Sequence, residues 1–510
     1  MPLQKILFKP GVNKENTRYT TEGGWYECDK IRFRQGNPET IGGWQRISSA
    51  TFLGVCRSLW NWVTLGGLNL ISVGTNLKFY IERGGVYYDI TPIRATASYT
   101  DPFSVQSGSS TVTCLAPAHG CQTGDFVTFT ATSLVGGLDM NGEFEVTVVN
   151  VNEFTVTANG TAGSTVLQPP GGGGTVTAAY QINTGSATAV PVVGWGGGTW
   201  GGGTWGYGTA TLTPIRLWSQ GNFGEDLIFG PRNGAIYYWD ATGGVTSRGV
   251  ALSSLPGASD VPTVQNYIFI SDINRFVFAM GCNDYGSALQ DPMLIRWSDQ
   301  EDATNWTPAV TNQAGSLRLS HGSEIVTAVQ TRQEIVVFTD SSLYSLQYLE
   351  PPIVWGAQLL GDNISIVGQN AATIASGVVY WMGVDKFYAY DGRVQTLPCD
   401  LRRYVFNDFN QAQSAQVFAS TNEGFNEVWW FYCSSGSTTV DRYVVYNYLE
   451  NVWYYGTMAR TAWLDSGLRD YPIAATYSYN LVNHEQGFND NATGTPAPIS
   501  AYISSSEFDI

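Results

Sequence analysis

Charge is scarce in this chain. Asp, Glu, Lys and Arg together make up 13% of its 510 residues, about half the share found in ordinary soluble domains. With 43% hydrophobic residues, that balance excludes a disordered chain, which joins low hydrophobicity to high charge. Histidine is nearly missing, with only His119, His321 and His484 present. Cysteine is sparse and odd in number: Cys28, Cys56, Cys114, Cys121, Cys282, Cys399 and Cys433 include no Cys-x-x-Cys pair. A disulfide framework and a zinc knuckle are both excluded, and reduced thiols in a protein made in a cytosol are expected. His119 lies near Cys114 and Cys121, but those cysteines sit in a strand and turn, where packing is the simpler reading. The signatures of serine, cysteine and zinc hydrolases are all absent, and no catalytic, cofactor-binding or metal-binding residue is assigned. No apolar run approaches the ~20 residues that span a bilayer. The opening MPLQKILFKPG is too short in apolar residues for a signal peptide. The expectation is a soluble product, or one built into a particle, without stable membrane insertion.

Positive charge is especially short. The net charge is −16, which disfavours a tight nucleic-acid binder, since phosphate contacts need a basic face. Residues 1–46 hold eight Lys/Arg against five Asp/Glu, a balance of +3 that leaves −19 for the rest. This stretch reads as an extended docking arm (1–50), with Lys14, Arg18, Arg32 and Arg34 as its candidate contacts.

Helical periodicity is also rare, and Asp400–Ala415 is its best candidate. Glycine (58 residues) and aromatics (13%) are abundant and fall in a repeated pattern. Val378–Met382, Phe387–Tyr390 and Arg393–Leu397 are short strand-like runs, the last two joined by Asp391-Gly392, a pair suited to a tight hairpin. Similar meanders recur from Leu53, Leu212, Val261, Glu324, Ile364 and Gln416, about six units spaced roughly 35–50 residues apart. The expected fold is all-β: a β-propeller of about six irregular blades (51–97 and 212–460), with a β-sandwich array as the competing arrangement. Residues 98–182 alternate strongly and read as an inserted small β-barrel or sandwich. Residues 461–510 read as a C-terminal β segment that completes the ring or pairs with a partner.

From Phe154 through Ile215 there is no charged residue. That stretch contains a Gly/Trp-rich loop (183–211) with a tandem GGGTW repeat. Its glycines follow no strand into a helix and carry no Gly-Lys-Ser/Thr, so it is not a phosphate loop. Trp195, Trp200, Trp205 and Tyr207 are candidate interaction residues, either in a subunit contact or as stacking platforms for sugars. Carboxylates are plentiful enough for a glycosidase pair. Arg296–Trp306 resembles the Asp-box turn of sialidase propellers, though without the Ser-x-Asp-x-Gly order.

Three stretches resemble one known family: LFKPGVNKENTRYTTEGGWYECDKIRFRQGNPETIGGWQ (7–45), IRWSDQEDATNWTP (295–308) and VDKFYAYDGRVQTLP (384–398). They are similar to the tail nozzle proteins of short-tailed bacteriophages (podoviruses), also called tail tubular or packaged-DNA stabilisation proteins. The resemblance covers most of the chain outside 98–211 and marks no active site. It implies a propeller subunit of the virion tail, made in the host cytoplasm and assembled as a homo-oligomeric ring, a hexamer, below the portal and adaptor. Tail fibre or needle proteins are further expected partners. DNA would pass through the lumen without sequence-specific contacts, and the ring would help retain and then eject it. The chain ends at Asp509-Ile510, where the family leads one to expect further sequence. The alternative from another class is a carbohydrate-recognising propeller that binds a receptor or hydrolyses a glycan.

Overall fold

The computed structural model describes residues 7–189 and 215–507. The chain forms a seven-bladed β-propeller. Six blades are four-stranded antiparallel meanders in sequence order. Their innermost strands are Cys56–Val63, Trp218–Phe223, Tyr267–Ser271, Ile325–Gln330, Ala372–Ala375 and Phe418–Asn422. Each packs beside the next around the axis, and Ala462–Leu464 closes the ring by packing between Phe418–Asn422 and Cys56–Val63.

The seventh blade explains why the sequence suggested about six. Ala462–Leu464, Ile473–Ala475 and Leu481–His484 pair in order, and the fourth strand is Trp44–Arg46 from the other end of the chain. His484 faces Trp44 and Val482 faces Arg46 in an antiparallel register. A blade made from two distant pieces leaves no local repeat to read. It also ties the chain ends together, so the ring cannot open without breaking that pairing.

The first fifty residues are therefore not a free arm, which corrects the expected docking arm. Trp25–Asp29 pairs with Tyr502–Ser505, and Ile31–Arg34 forms a hairpin with Asn37–Thr40. Both lie against the outer strand of the sixth blade, Val452–Thr457. Asp29 accepts from the Thr457 amide at 2.7 Å, and the Val12 amide donates to the Trp453 carbonyl at 2.8 Å.

Strands in the middle of a blade are buried on both faces, because neighbouring blades stack face to face around the axis. Glu427–Tyr432 (EVWWFY) is buried at every position, as continuous apolar runs are when both faces are covered. Trp381, Trp429, Trp430 and Trp453 fill the space between the fifth, sixth and seventh blades. Truncating one such buried aromatic costs about 3–5 kcal/mol. The outer strand Val394–Leu397 stays half exposed, and Gly392 takes φ +106° in the hairpin before it. The region expected to be helical holds a short α-helix, Arg402–Asn407, and a 3-10 turn, Gln411–Gln416.

The insertion is a two-sheet β-sandwich between the first and second blades. Ile93–Thr100 and Thr175–Gln181, its entering and leaving strands, pair side by side. Its core includes Phe103, Phe129, Phe154 and Val176 and contains no propeller residue.

Candidate functional site

The innermost strands enclose an axial cavity of about 990 Å³, and one end of it is closed. Gln369, at the start of the fifth blade, donates through Nε2 to the Trp218 carbonyl of the second blade at 3.1 Å. Asn370 donates through Nδ2 to the Arg57 carbonyl of the first blade at 3.3 Å. In a ring of seven, the first and second blades stand opposite the fifth, so these two amides cross the axis. The channel is a blind pocket and not a pore. Its open end is formed by the turns that follow the innermost strands of the sixth and seventh blades, which carry Glu423, Phe425, Asp465, Arg469, Asp470 and Tyr471.

Asp465 accepts from the Glu423 amide at 2.7 Å and from the Thr421 hydroxyl at 3.2 Å. Burial nonetheless raises its carboxyl above the usual range, because losing solvent disfavours the charged form. Trp60 is held in the wall by its indole N–H, which donates to Asn222 Oδ1 at 3.1 Å. Four of the lining residues carry side-chain atoms that are shielded from solvent and have no hydrogen-bond partner: Arg57 Nε and Nη1, Ser58 Oγ, Gln220 Nε2 and Oε1, and Gln369 Oε1.

The residues expected to dock a partner divide sharply. Arg32 is 1% exposed and cannot be a docking contact. Its Nε and Nη2 donate to the two oxygens of Glu427 at 2.8 and 3.0 Å, and Nη1 and Nη2 to those of Glu485 at 2.8 and 2.6 Å. Burial opposes the Arg32 charge, but the two carboxylates outweigh it and hold the guanidinium more firmly charged than usual. Full burial also pushes Glu427 up. Its oxygens, however, accept from Tyr454, Trp429 and Asn422 as well as Arg32, and five donors on two oxygens favour the carboxylate.

Lys14 is mostly buried, its ammonium 4.2 Å above the Tyr26 ring and 3.6 Å from Glu27. Burial, opposed by Glu27, lowers its pKa. Arg18 pairs with the same Glu27 at 2.5 Å and is partly exposed. Arg34 is exposed. Trp195, Trp200, Trp205 and Tyr207 lie outside the described residues. Ser186 and Ile215, which flank that segment, form a parallel bridge.

His119 is engaged within the insertion. One ring nitrogen sits 2.9 Å from the Asn150 carbonyl, and the other accepts from the Cys121 amide at 3.0 Å. Among the described residues no cluster of His, Cys, Asp and Glu could hold a metal, and all seven cysteines are free. Sequence reasoning missed Glu427, Glu485, Gln369 and Asn370. Glu427 had a signal, as the one charge heading an otherwise apolar strand, whereas the amides of Gln369 and Asn370 act only once the ring is closed.

These features define a class: a seven-bladed β-propeller with a blind axial pocket, closed by its own N-terminal strand and carrying an inserted β-sandwich. No family model and no curated protein matches the chain. Solved structures similar to it include Kluyvelomyces marxianus Hsv2, at 9% identity and a TM-score of 0.32, over 57% of this chain and 82% of that one. The AfRom2 CNH domain aligns at 11% identity and a TM-score of 0.32, over 57% and 84%. Phage phi92 endosialidase aligns at 12% identity and a TM-score of 0.22, over 87% of this chain and 65% of that one.

Proposed function

We propose that the protein is a structural subunit of a short-tailed bacteriophage tail nozzle, forming a homo-oligomeric ring that conducts and retains genomic DNA. The observation that carries this reading is the resemblance in 7–45, 295–308 and 384–398. Those stretches fall in the closing segment, the third blade and the fifth blade, so the likeness is spread around the body. The charge balance is compatible with a conduit. A wall within the ~8 Å Debye length of passing DNA brakes it if basic and leaves it mobile if acidic, and the chain outside residues 1–46 carries −19.

The geometry also constrains how such a conduit would be built. A duplex whose major groove alone is about 12 Å wide cannot thread a pocket closed by Gln369 and Asn370. The lumen would therefore lie between subunits, and each propeller would be a stave in its wall. Arg34 and Arg18, the more exposed cations of the N-terminal segment, would be available to the ring above.

The test is to locate the chain in the intact particle by electron microscopy, with a tag in the exposed turn around Leu134 of the insertion. Label on the tail axis below the portal is the expected result. Label on peripheral fibres, or on no particle, overturns the nozzle reading and favours a carbohydrate-recognising propeller.

A further inference from the structure

We propose that an apolar patch beside the pocket mouth receives the N-terminal segment, Met1–Lys9, of a second copy of this chain. The contact rests on the nozzle reading for its closure into a ring, while its test needs no particle.

The patch is built on the turn after the first innermost strand, Thr64–Leu68, which carries leucines where turns ordinarily carry polar residues. Leu65 is 92% exposed, and Val63 and Leu68 are exposed beside it. The turn is well tied. The Thr64 amide donates to the Leu68 carbonyl at 3.0 Å, and the Gly67 amide to the Thr64 carbonyl at 2.9 Å. The Leu65 amide donates to Glu225 Oε2 of the second blade at 3.2 Å, so this leucine is held out into solvent. On the other side, Asn69 Nδ2 donates to the Leu468 carbonyl at 3.1 Å, and Ser466 Oγ to Asn61 Oδ1 at 3.0 Å. These bonds set the exposed Leu468 beside the turn, and Tyr471, in the same loop, extends the apolar surface to the pocket mouth. Scattered exposed leucines are ordinary, whereas apolar side chains gathered from two blades mark a contact surface.

The surroundings of the patch are acidic. Glu225 holds the Leu65 amide, and Asp465 and Asp470 share the loop of Leu468. The one cation of that loop, Arg469, already lies 3.6 Å from Glu82. Two copies docking by this same face would bring carboxylates against carboxylates, and a nucleic acid would meet the same repulsion. The rim favours an occupant that joins apolar side chains to cations.

The chain supplies one. Met1–Lys9, MPLQKILFK, carries Lys5 and Lys9 and no carboxylate in a protein of net charge −16, and Met1, Leu3, Ile6, Leu7 and Phe8 are apolar. The segment is anchored to its own body by Phe8, whose ring stacks on Trp25 at 4.5 Å, and by the Lys9 amide, which donates to the Gly23 carbonyl at 2.8 Å. Leu7 is exposed at that point. The six residues before it lie outside the described ones and, fully extended, reach at most about 20 Å. That length is enough to cross from one subunit to the surface of a neighbour in contact with it. The anchor lies by the outer strand of the sixth blade, whereas the patch lies on the turns of the first and seventh. Segment and patch are therefore different surfaces, and joining them between copies gives a head-to-tail contact, the kind that closes into rings.

The experiment measures self-association of the full chain by sedimentation velocity, against concentration and salt. Wild type is expected to form oligomers that weaken as salt rises. Leu65→Asp, at an exposed turn position, should keep the unfolding temperature and raise the dissociation constant about tenfold or more, the loss expected when one leucine is no longer buried. Should that variant fail to fold, Leu468→Asp takes its place with the same expectation. Ile6→Asp should weaken association equally from the other side of the contact. A mixture of Leu65→Asp with Ile6→Asp decides the geometry: each retains one intact half, so together they should form dimers and nothing larger. Wild type that stays monomeric, Leu65→Asp that associates like wild type, or a mixture that stays monomeric would each overturn the proposal. If the chain is found on the tail axis and Leu65→Asp still assembles there, this contact falls and the nozzle reading stands. If the variants behave as expected and the chain is found elsewhere, the nozzle reading falls and this contact stands.

Discussion

Arg32 and Glu427 stand 395 positions apart and meet in a two-pronged ion pair, Nε to Oε1 at 2.8 Å and Nη2 to Oε2 at 3.0 Å, with both side chains shielded from solvent. The pair couples the N-terminal hairpin to the sixth blade. Glu485, bound to the same guanidinium, couples both to the seventh. The Arg32 guanidinium also lies 3.5 Å from the Phe425 ring centroid. Three separate parts of the chain thus share one charged node at the point where the ring closes.

Arg32→Ala would leave two carboxylates facing each other with no cation between them. Breaking a buried pair by removing one partner costs about 3–5 kcal/mol. We expect a loss of that size in chemical denaturation, with new protease cleavage within residues 7–46 as the hairpin detaches. Arg32→Lys should recover only part of it, because an ammonium cannot match the two-pronged geometry. A midpoint for Arg32→Ala close to wild type would show that the closing strand is held by other contacts.

His484 gives the closed blade a pH dependence. Arg460 Nε donates to His484 Nε2 at 2.9 Å, which requires a neutral ring, and Trp463 and Trp44 flank it at 4.2 and 5.4 Å. Burial first, then the Arg460 and Arg32 charges, push its pKa well below the ordinary value. In the unfolded chain the imidazole takes a proton near pH 6.5, whereas in the folded chain it does not. The unfolded state therefore binds the extra proton, and stability falls as pH drops below about 6.5, by up to ~1.4 kcal/mol per unit. Above that pH this contribution is fully present. Denaturation midpoints at pH 7.5, 6.5 and 5.5 should show the slope in wild type and a shallower one in His484→Gln, whose amide oxygen can still accept from Arg460. Parallel slopes would assign the effect to other groups.

Thiol chemistry checks the packing. Cys28, Cys56, Cys114, Cys282 and Cys433 are buried, and only Cys121 and Cys399 are partly exposed. Burial raises the thiol pKa of both, that of Cys121 to about 11, so even these are poor nucleophiles at neutral pH. A thiol reagent at pH 7.5 should modify no more than two of the seven cysteines in the folded protein, both slowly, and all seven after denaturation. Rapid modification of a third would place a gap where the blades are described as packed.

Much of the fold is legible locally, because it is written in short repeats. The Val378–Leu397 meander shows its strands and its Asp391-Gly392 turn, and the strongly alternating insertion shows its own boundaries to within a few residues. What is not legible is long-range. Residues 461–510 are legible as a segment that could complete the ring, but Trp44–Arg46 carries no mark that its partner is Leu481–His484, so the shared fourth strand of the seventh blade and the burial of Arg32 both escape a sequence reading. The candidate pocket is harder still. Gln220, in a strand, and Gln369, in the turn before one, are ordinary polar residues, and they line one cavity only because seven strands converge on one axis. An arginine in a charge-alternating strand reads as exposed, and Arg32 is buried because two carboxylates from distant blades reach it.

The insertion should be separable from the propeller. Its two ends lie side by side, with the Ile182 amide donating to the Pro92 carbonyl at 3.0 Å, and its aromatic core draws on no blade residue. Units inserted through adjacent ends with a core of their own are generally independent domains. The contacts across the junction include Ile182, which packs with Phe79 and Trp218 of the first two blades, and a set of ion pairs. Lys78 of the first blade, 3% exposed, pairs with Asp89 at 2.9 Å and with Glu143 of the insertion. Arg248 of the second blade reaches the same two carboxylates at 3.3 and 3.7 Å. A fragment spanning residues 92–183 should fold cooperatively alone, with dispersed amide NMR signals. Replacing 93–181 with a short Gly-Ser linker should leave the propeller folded but weaker by about 1–2 kcal/mol, since Lys78 keeps Asp89 and loses Glu143, a carboxylate that is itself partly screened by solvent. Glu143→Gln in the whole chain should reproduce part of that loss and speed hydrogen exchange at the Asp89–Ile93 junction, leaving the Phe103–Phe129–Phe154 core unchanged. Exchange that rises throughout the insertion would show instead that its core depends on the blade beneath it.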